Sequence, residues 1–268
     1  MDGVLDEPAW QTAEAWPIDY AHGGKQHGQR STAPCGSVKY TWDDQYLYIG
    51  YVVYDENLVA PGSGERQGPP DNRREGLAEY RADVPSDRVE FFIVFADDRF
   101  FWELHHDAAN HLNDIWVMVP DPKWPVYQST MAGRWKIAFM NQEYVDDQVE
   151  VDRTTGVRTA FRLATAVTLL PNSTVSTDNA RADKDQGYTG ELRLPWFGIG
   201  APVARRQGRA WDMHGQEIRG LAVVENGDLP DRYHSSSPDL PADWFHHGVA
   251  RYPRFRLVDP AREPDTKP

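Results

Sequence analysis

Two stretches of this chain are built to one pattern, and they constrain its fold more than anything else in it. VKYTWDDQYLYIGYVVYDENL and RVEFFIVFADDRFFWELHHD each set an acidic pair between two runs rich in aromatic and β-branched residues. Such runs favour strands, and a short polar interruption between them suits a hairpin. Side chains alternate across a strand. In the first hairpin, turning at Asp43-Asp44, Leu47, Ile49, Tyr51 and Val53 therefore share one face, and Tyr46, Tyr48, Val52 and Tyr54 share the other. Both faces are apolar or aromatic, which predicts a central strand covered on both sides. Further strands are expected over 159–170, 187–195, 217–225 and 254–258. Long helical periodicity is missing. The best helix is short, at DEPAWQTAEAW, with Asp6 as cap and Pro8 in the first turn. The pattern predicts an all-β fold, an antiparallel β-sandwich of jelly-roll-like form with long loops and little helix. Residues 1–258 form one domain in this reading, and 259–268 a polar tail or linker. The long irregular stretches 61–86, 119–133, 171–186 and 226–248 are of the length at which loops often carry function.

Charge narrows the partners. The 268 residues carry 28 Lys and Arg against 41 Asp and Glu, a net charge of −13, which disfavours binding to a phosphate backbone. No apolar run approaches the roughly 20 residues of a membrane span. Neither nucleic acid nor membrane is an expected partner. MDGVLDEPAW shows no basic segment followed by an apolar one, so no signal peptide is read there. A single cysteine, Cys35, rules out an internal disulfide framework and a Cys-rich zinc site.

Four segments carry a family resemblance: DGVLDEPAW, WDDQYLYIGYVVYDENL, SDRVEFFIVF and YTGELRLPWFGIG. Their content and order resemble the family 9 carbohydrate-binding modules, from Asp2 to about Val258. The resemblance implies a non-catalytic β-sandwich that binds a polysaccharide or oligosaccharide. It further implies a secreted protein, extracellular or periplasmic, that serves polysaccharide degradation, often beside a carbohydrate-active enzyme domain in the parent chain. Structural calcium is also implied.

The second hairpin supplies a site. If Asp97-Asp98 is a two-residue turn, Glu90 sits opposite His105 and Phe92 opposite Glu103, about 4.5–5.5 Å apart at Cβ. Glu90, Phe92, Phe101, Glu103 and His105 then share one face, while Val89, Phe91, Ile93, Trp102 and Leu104 form a core face. The resemblance leads to the same strands. It implies that Glu90 holds a sugar hydroxyl and that Glu103 and His105 stand where the family has an Arg-x-Asn pair. Glu225 is the nearest match to a late-strand polar ligand. Of the two tryptophans that sandwich a sugar in that family, Trp244 matches one. No tryptophan stands at the other, and Tyr80 is the closest aromatic. A pyranose offers a C–H face to an aromatic ring and hydroxyls to carboxylates, so these residues suit it. Trp124 and Tyr127 are further loop candidates, whereas Trp10, Trp42, Trp102 and Trp196 are expected in the core.

Other chemistry is weaker. His105 and His106 are adjacent on a strand and point to opposite faces, and no zinc motif is present, so hydrogen-bonded histidines are the expectation. Asp43-Asp44, Asp55-Glu56-Asn57 and Asp146-Asp147 offer oxygen atoms to calcium without EF-hand spacing. Two alternative functions stay open. Glu90, Glu103 and Glu225 could form the carboxylate pair of a glycoside-cleaving enzyme. Related sandwiches hold haem b for electron transfer through Met with His or Lys, and Met118, Met140 and Met213 are present here but stand in no matching motif.

Overall fold

The computed structural model describes residues 1–32, 35–43, 45–60, 87–95, 100–118, 137–140, 148–151, 158–161, 164–177, 184–196, 213–227, 233–242, 249–259 and 261–262. These residues form two antiparallel sheets with almost no helix. The smaller sheet runs in the order β1 (Ala15–Ile18), β3 (Gly36–Trp42), β4 (Tyr46–Val53), β12 (Tyr188–Pro195), β11 (Ala164–Leu169). The larger has β2 (Tyr20–His22), β14 (Tyr233–Ser235), β13 (Glu217–Glu225), β5 (Arg88–Phe95), β6 (Phe100–Asp107), β7 (Leu112–Met118) and β8 (Ile137–Met140). β15 (Arg254–Arg256) pairs with the start of β13, and β9 (Gln148–Val151) pairs with β10 (Arg158–Phe161) in a separate ribbon. No helix among the described residues is long and apolar enough to cross a membrane.

The alternating pattern produced the core as expected. Leu47, Ile49, Tyr51 and Val53 from β4 meet Val89, Phe91, Ile93, Trp102 and Leu104 from β5 and β6, all essentially out of solvent. Each such side chain contributes about 1.5–3 kcal/mol by burial. The opposite face of β4 is covered only in part. Leu5 and Trp10 lie over Gly50, and a Cβ there would press into both. Beside this cover Tyr46, Tyr48 and Val52 are half-buried and Tyr54 is exposed.

Four local expectations are corrected. The first hairpin bends one residue later than Asp43-Asp44, because the Asp43 carboxylate accepts the backbone N–H groups of Gln45 and Tyr46 and the Tyr48 hydroxyl. The helix is a single turn, Pro8–Thr12, with Glu7 rather than Asp6 at its N-cap. The strand expected over 159–170 is two strands, β10 and β11, belonging to different sheets. Trp42, expected in the core, is half-buried at the end of β3.

Three of the four signature segments are joined on the smaller sheet. Glu191 of β12 is buried and accepts Asp2 N–H and Gly3 N–H at Oε2 (3.0 and 2.9 Å) and Trp10 Nε1–H at Oε1 (3.0 Å). Gly3 has φ +84° and lies against the Val167 backbone, where a Cβ would be 2.5 Å from the carbonyl carbon. That approach requires glycine. Trp196 donates Nε1–H to the Asp43 carbonyl at 2.7 Å. The segments DGVLDEPAW, WDDQYLY and GELRLPW are therefore a structural seam.

Candidate functional site

The second hairpin has the register that a two-residue turn requires. Glu90 pairs with His105, Phe92 with Glu103 and Arg88 with Asp107. On the other side of β5, β13 places Glu225 opposite Arg88 and Val223 opposite Glu90. Period two then puts Arg88, Glu90, Glu103, His105, Asp107 and Glu225 on the outer face of the larger sheet, turned away from the core face of β5 and β6.

All of these side chains except Asp107 form one connected network, whereas the Asp107 carboxylate accepts the backbone N–H groups of Ala109 and His111 and bonds the His111 ring. Arg88 reaches Glu90 at 2.9 Å and also pairs with Glu225. His105 Nε2 lies 2.9 Å from Glu103 Oε1 and 3.9 Å from Glu90 Oε1. The Tyr233 hydroxyl on β14 donates to Glu225 Oε1 at 3.2 Å. Every member from β5, β6 and β13 is buried: Glu90 and Glu103 are 3% exposed, His105 and Arg88 7%, and Glu225 0%. In such surroundings the charge of one carboxylate strongly affects its neighbours, and a guanidinium shared by two of them compensates much of the cost of burying them.

As the alternation predicts, this face carries apolar residues beside the polar ones. Phe92, Val94, Phe101, Leu221 and Val223 form a second apolar cluster beneath Leu240, Val249 and Tyr252. Ring centroids lie 5.8 Å apart for Phe92–Phe101 and 6.1 Å for Phe92–Tyr252. Phe92 and Phe101 therefore serve as packing under the chain that returns before β15. The polar network occupies the other end of the same strands.

The structure brings together four of the six sequence-derived candidates: Glu90, Glu103, His105 and Glu225. Trp244 and Tyr80 lie outside the described residues, as do Trp124, Tyr127 and Asp146-Asp147. Arg88 and Tyr233 were missed. Arg88 carried a legible signal, since it stands two residues before Glu90 and so shares its face. Tyr233 carried none, because its position depends on the pairing of β14 with β13.

The adjacent histidines separate as strand geometry demands. His106 faces the core, where Nδ1 accepts from the Tyr51 hydroxyl at 2.7 Å and Nε2–H donates to Asn110 Oδ1 at 2.8 Å. Burial lowers its pKa. The Tyr51 hydroxyl fits because Gly190 has no Cβ to overlap it. His111 bonds Asp107 at 2.9 Å, and that hydrogen bond raises its pKa. Met213 is buried in the apolar core.

Among the described residues, the carboxylates within reach of one metal ion are those of Asp2, Glu7 and Glu191. Asp43 is engaged in its turn, and Asp55 accepts Asn57 N–H and Asn226 Nδ2–H. The Asp2–Glu7–Glu191 donor set is all oxygen, and Glu7 Oε2 is a buried atom with no hydrogen-bond partner, which suits a hard cation. Three carboxylates fall short of the six to eight oxygens that calcium takes, so the group fits a partly hydrated ion.

Residues 1–98 match the family described as carbohydrate family 9 binding domain-like. The chain is similar to family 9 carbohydrate-binding domains. A Bacteroides uniformis protein provisionally described as carbohydrate-binding aligns at 14% identity over 92% of this chain and 87% of its own, with a TM-score of 0.52. That likeness concerns the fold. A family 9 module from Caldicellulosiruptor kristjanssonii aligns in its cellotriose complex at 13% identity and in its glucose complex at 15%. Both alignments have TM-scores of 0.46 and cover 100% and 99% of this chain and 94% of theirs. No curated protein matches.

Proposed function

We propose that this protein is a non-catalytic carbohydrate-binding module that takes a polysaccharide or oligosaccharide at the polar end of the outer face of the larger sheet. The carrying observation is the convergence of Glu90, Glu103 and Glu225 with Arg88 and His105 across three adjacent strands. Ionised carboxylates only accept hydrogen bonds, and sugar hydroxyls donate them. Arg88 holds Glu90 and Glu225 in fixed positions, and His105 does the same for Glu103. Trp244 and Tyr80 supply the stacking surfaces in this reading, on the strength of the resemblance. The similarity to family 9 domains supports the ligand class, while a place outside the cytoplasm and a role beside polysaccharide-degrading enzymes enter the proposal only through the resemblance of the four sequence segments.

Calcium belongs to the proposal as a structural ion. Asp2, Glu7 and Glu191 would hold it, and its charge would offset three neighbouring carboxylates while fixing the N-terminal segment to β12.

An affinity-gel panel of polysaccharides run on wild type and Glu90→Gln, with a reducing-end assay in parallel, tests the function. Retention that weakens in the variant, without release of reducing ends, is expected. Cleavage by wild type that stops in a variant which still binds would establish the hydrolase alternative. Failure to bind any polymer would overturn the module reading.

A further inference from the structure

A cavity of ≈ 450 Å³ opens between the two sheets at the end remote from Glu225, and we propose that it is a second sugar site, specific for neutral pyranosides. β13 locates it. Its last residue, Glu225, belongs to the polar network, whereas Glu217–Arg219 at its start pair with β15, whose residues line the cavity. From Arg219, the last residue paired with β15, to Glu225 the strand rises six residues, about 20 Å at 3.4 Å per residue. No residue is shared between them.

The walls are aromatic. Trp16 from β1, Tyr40 and Trp42 from β3 and Phe255 from β15 line the cavity, and all four are half-buried. Phe255 packs against Trp16 (centroids 4.7 Å, planes 67° apart) and Tyr40 (4.4 Å, 43°). These contacts hold three of the rings in place before any ligand arrives, which reduces the ordering cost of binding. The rim is charged. Glu14, Arg254 and Arg256 line it and are exposed, and Arg254 Nη1 lies 3.3 Å from Glu217 Oε1. Two guanidinium groups and two carboxylates cancel. Such a rim offers donors and acceptors to hydroxyl groups without attracting net charge, so it suits a neutral sugar better than a uronic acid. The volume lies within the usual 300–1,000 Å³ for small-molecule sites, and pockets of that kind combine apolar walls with a few polar groups.

Binding stoichiometry separates this site from the one around Glu90. Cellotriose, xylotriose and trigalacturonate are titrated calorimetrically into wild type, Glu90→Gln, Trp42→Ala and Arg254→Ala, with circular dichroism confirming folding. Two equivalents of a neutral trisaccharide are expected on wild type. Trp42→Ala removes one and Glu90→Gln the other. Arg254→Ala, at an exposed rim position that leaves the core intact, weakens the Trp42-dependent equivalent about tenfold. One equivalent that depends on Glu90 alone overturns this inference and leaves the proposed function standing. One equivalent that depends on Trp42 and Arg254 alone supports it against the Glu90 site. Tighter binding of trigalacturonate at the Trp42-dependent site, or no binding of any of the three, overturns it.

Discussion

Two regions of this molecule bury acidic side chains, and they do so by different means. Glu191, on the smaller sheet, accepts two backbone N–H groups and an indole N–H, so most of its partners are fixed by the main chain. Glu90, Glu103 and Glu225, on the larger sheet, meet the side chains of Arg88, His105 and Tyr233. A carboxylate satisfied by backbone ties distant segments together, and in this chain it ties residues 2–10 to β12. A carboxylate held by side chains can exchange a partner when a ligand arrives, because a side chain turns without disturbing a sheet. Burial alone does not separate structural from functional acids. The origin of their partners does.

The largest effect should come from the backbone-held acid. Glu191→Ala leaves three N–H groups without their acceptor and is expected to destabilise the fold by about 3–5 kcal/mol, read by chemical denaturation. A small loss would mean that the N-terminal segment docks by Leu5 and Trp10 packing alone, and the contrast would break. Chelation acts on the same seam. If calcium occupies Asp2, Glu7 and Glu191 at about 100 times its dissociation constant, EDTA should remove about 2.7 kcal/mol of stability, seen as a lower Tm in calorimetry. An unchanged Tm would remove calcium from the account.

On the larger sheet the signature should be in binding. Trp244→Ala is expected to weaken sugar affinity by about 2 kcal/mol with Tm unchanged, as for a stacking anchor. A folded variant with full affinity would return Trp244 to a structural role. The smallest effect concerns pH. Burial lowers the pKa of His106 below 6.5, so the unfolded chain takes up its proton first as pH falls. Stability contributed by neutral His106 is therefore present above pH 6.5 and declines below it. The raised pKa of His111 acts the other way, adding stability below pH 6.5 that is lost as pH rises through its folded value. Urea denaturation across this range should show a steeper acid loss in His111→Ala than in wild type. Equal slopes would mean that the Asp107 contact does not favour protonated His111.

How much was legible follows from range. Glu90 opposite His105, and Val89, Phe91, Ile93, Trp102 and Leu104 inward, depend on a turn and a period of two, both local. Arg88 was equally legible by the same period. Tyr233 was not, because its contact with Glu225 depends on the pairing of β14 with β13, and neither was the cover that Leu240, Val249 and Tyr252 place over Phe92 and Phe101, which comes from segments well over a hundred residues away.

Local pattern alone sufficed for the fold class, the two faces of each hairpin, the core face of the second and the register that aligns Glu90, Glu103 and His105, since alternation fixes how neighbouring side chains point whatever lies beyond them. Only the tertiary structure decided which outward residues meet a partner. It divided 159–170 between two sheets, made Glu191 the anchor of residues 2–10, brought Arg88 against Glu225, and left Trp42 at the mouth of a cavity with Trp16 and Phe255. An amino-acid pattern specifies faces, but burial, pairing and access are properties of the surfaces that distant segments bring against them.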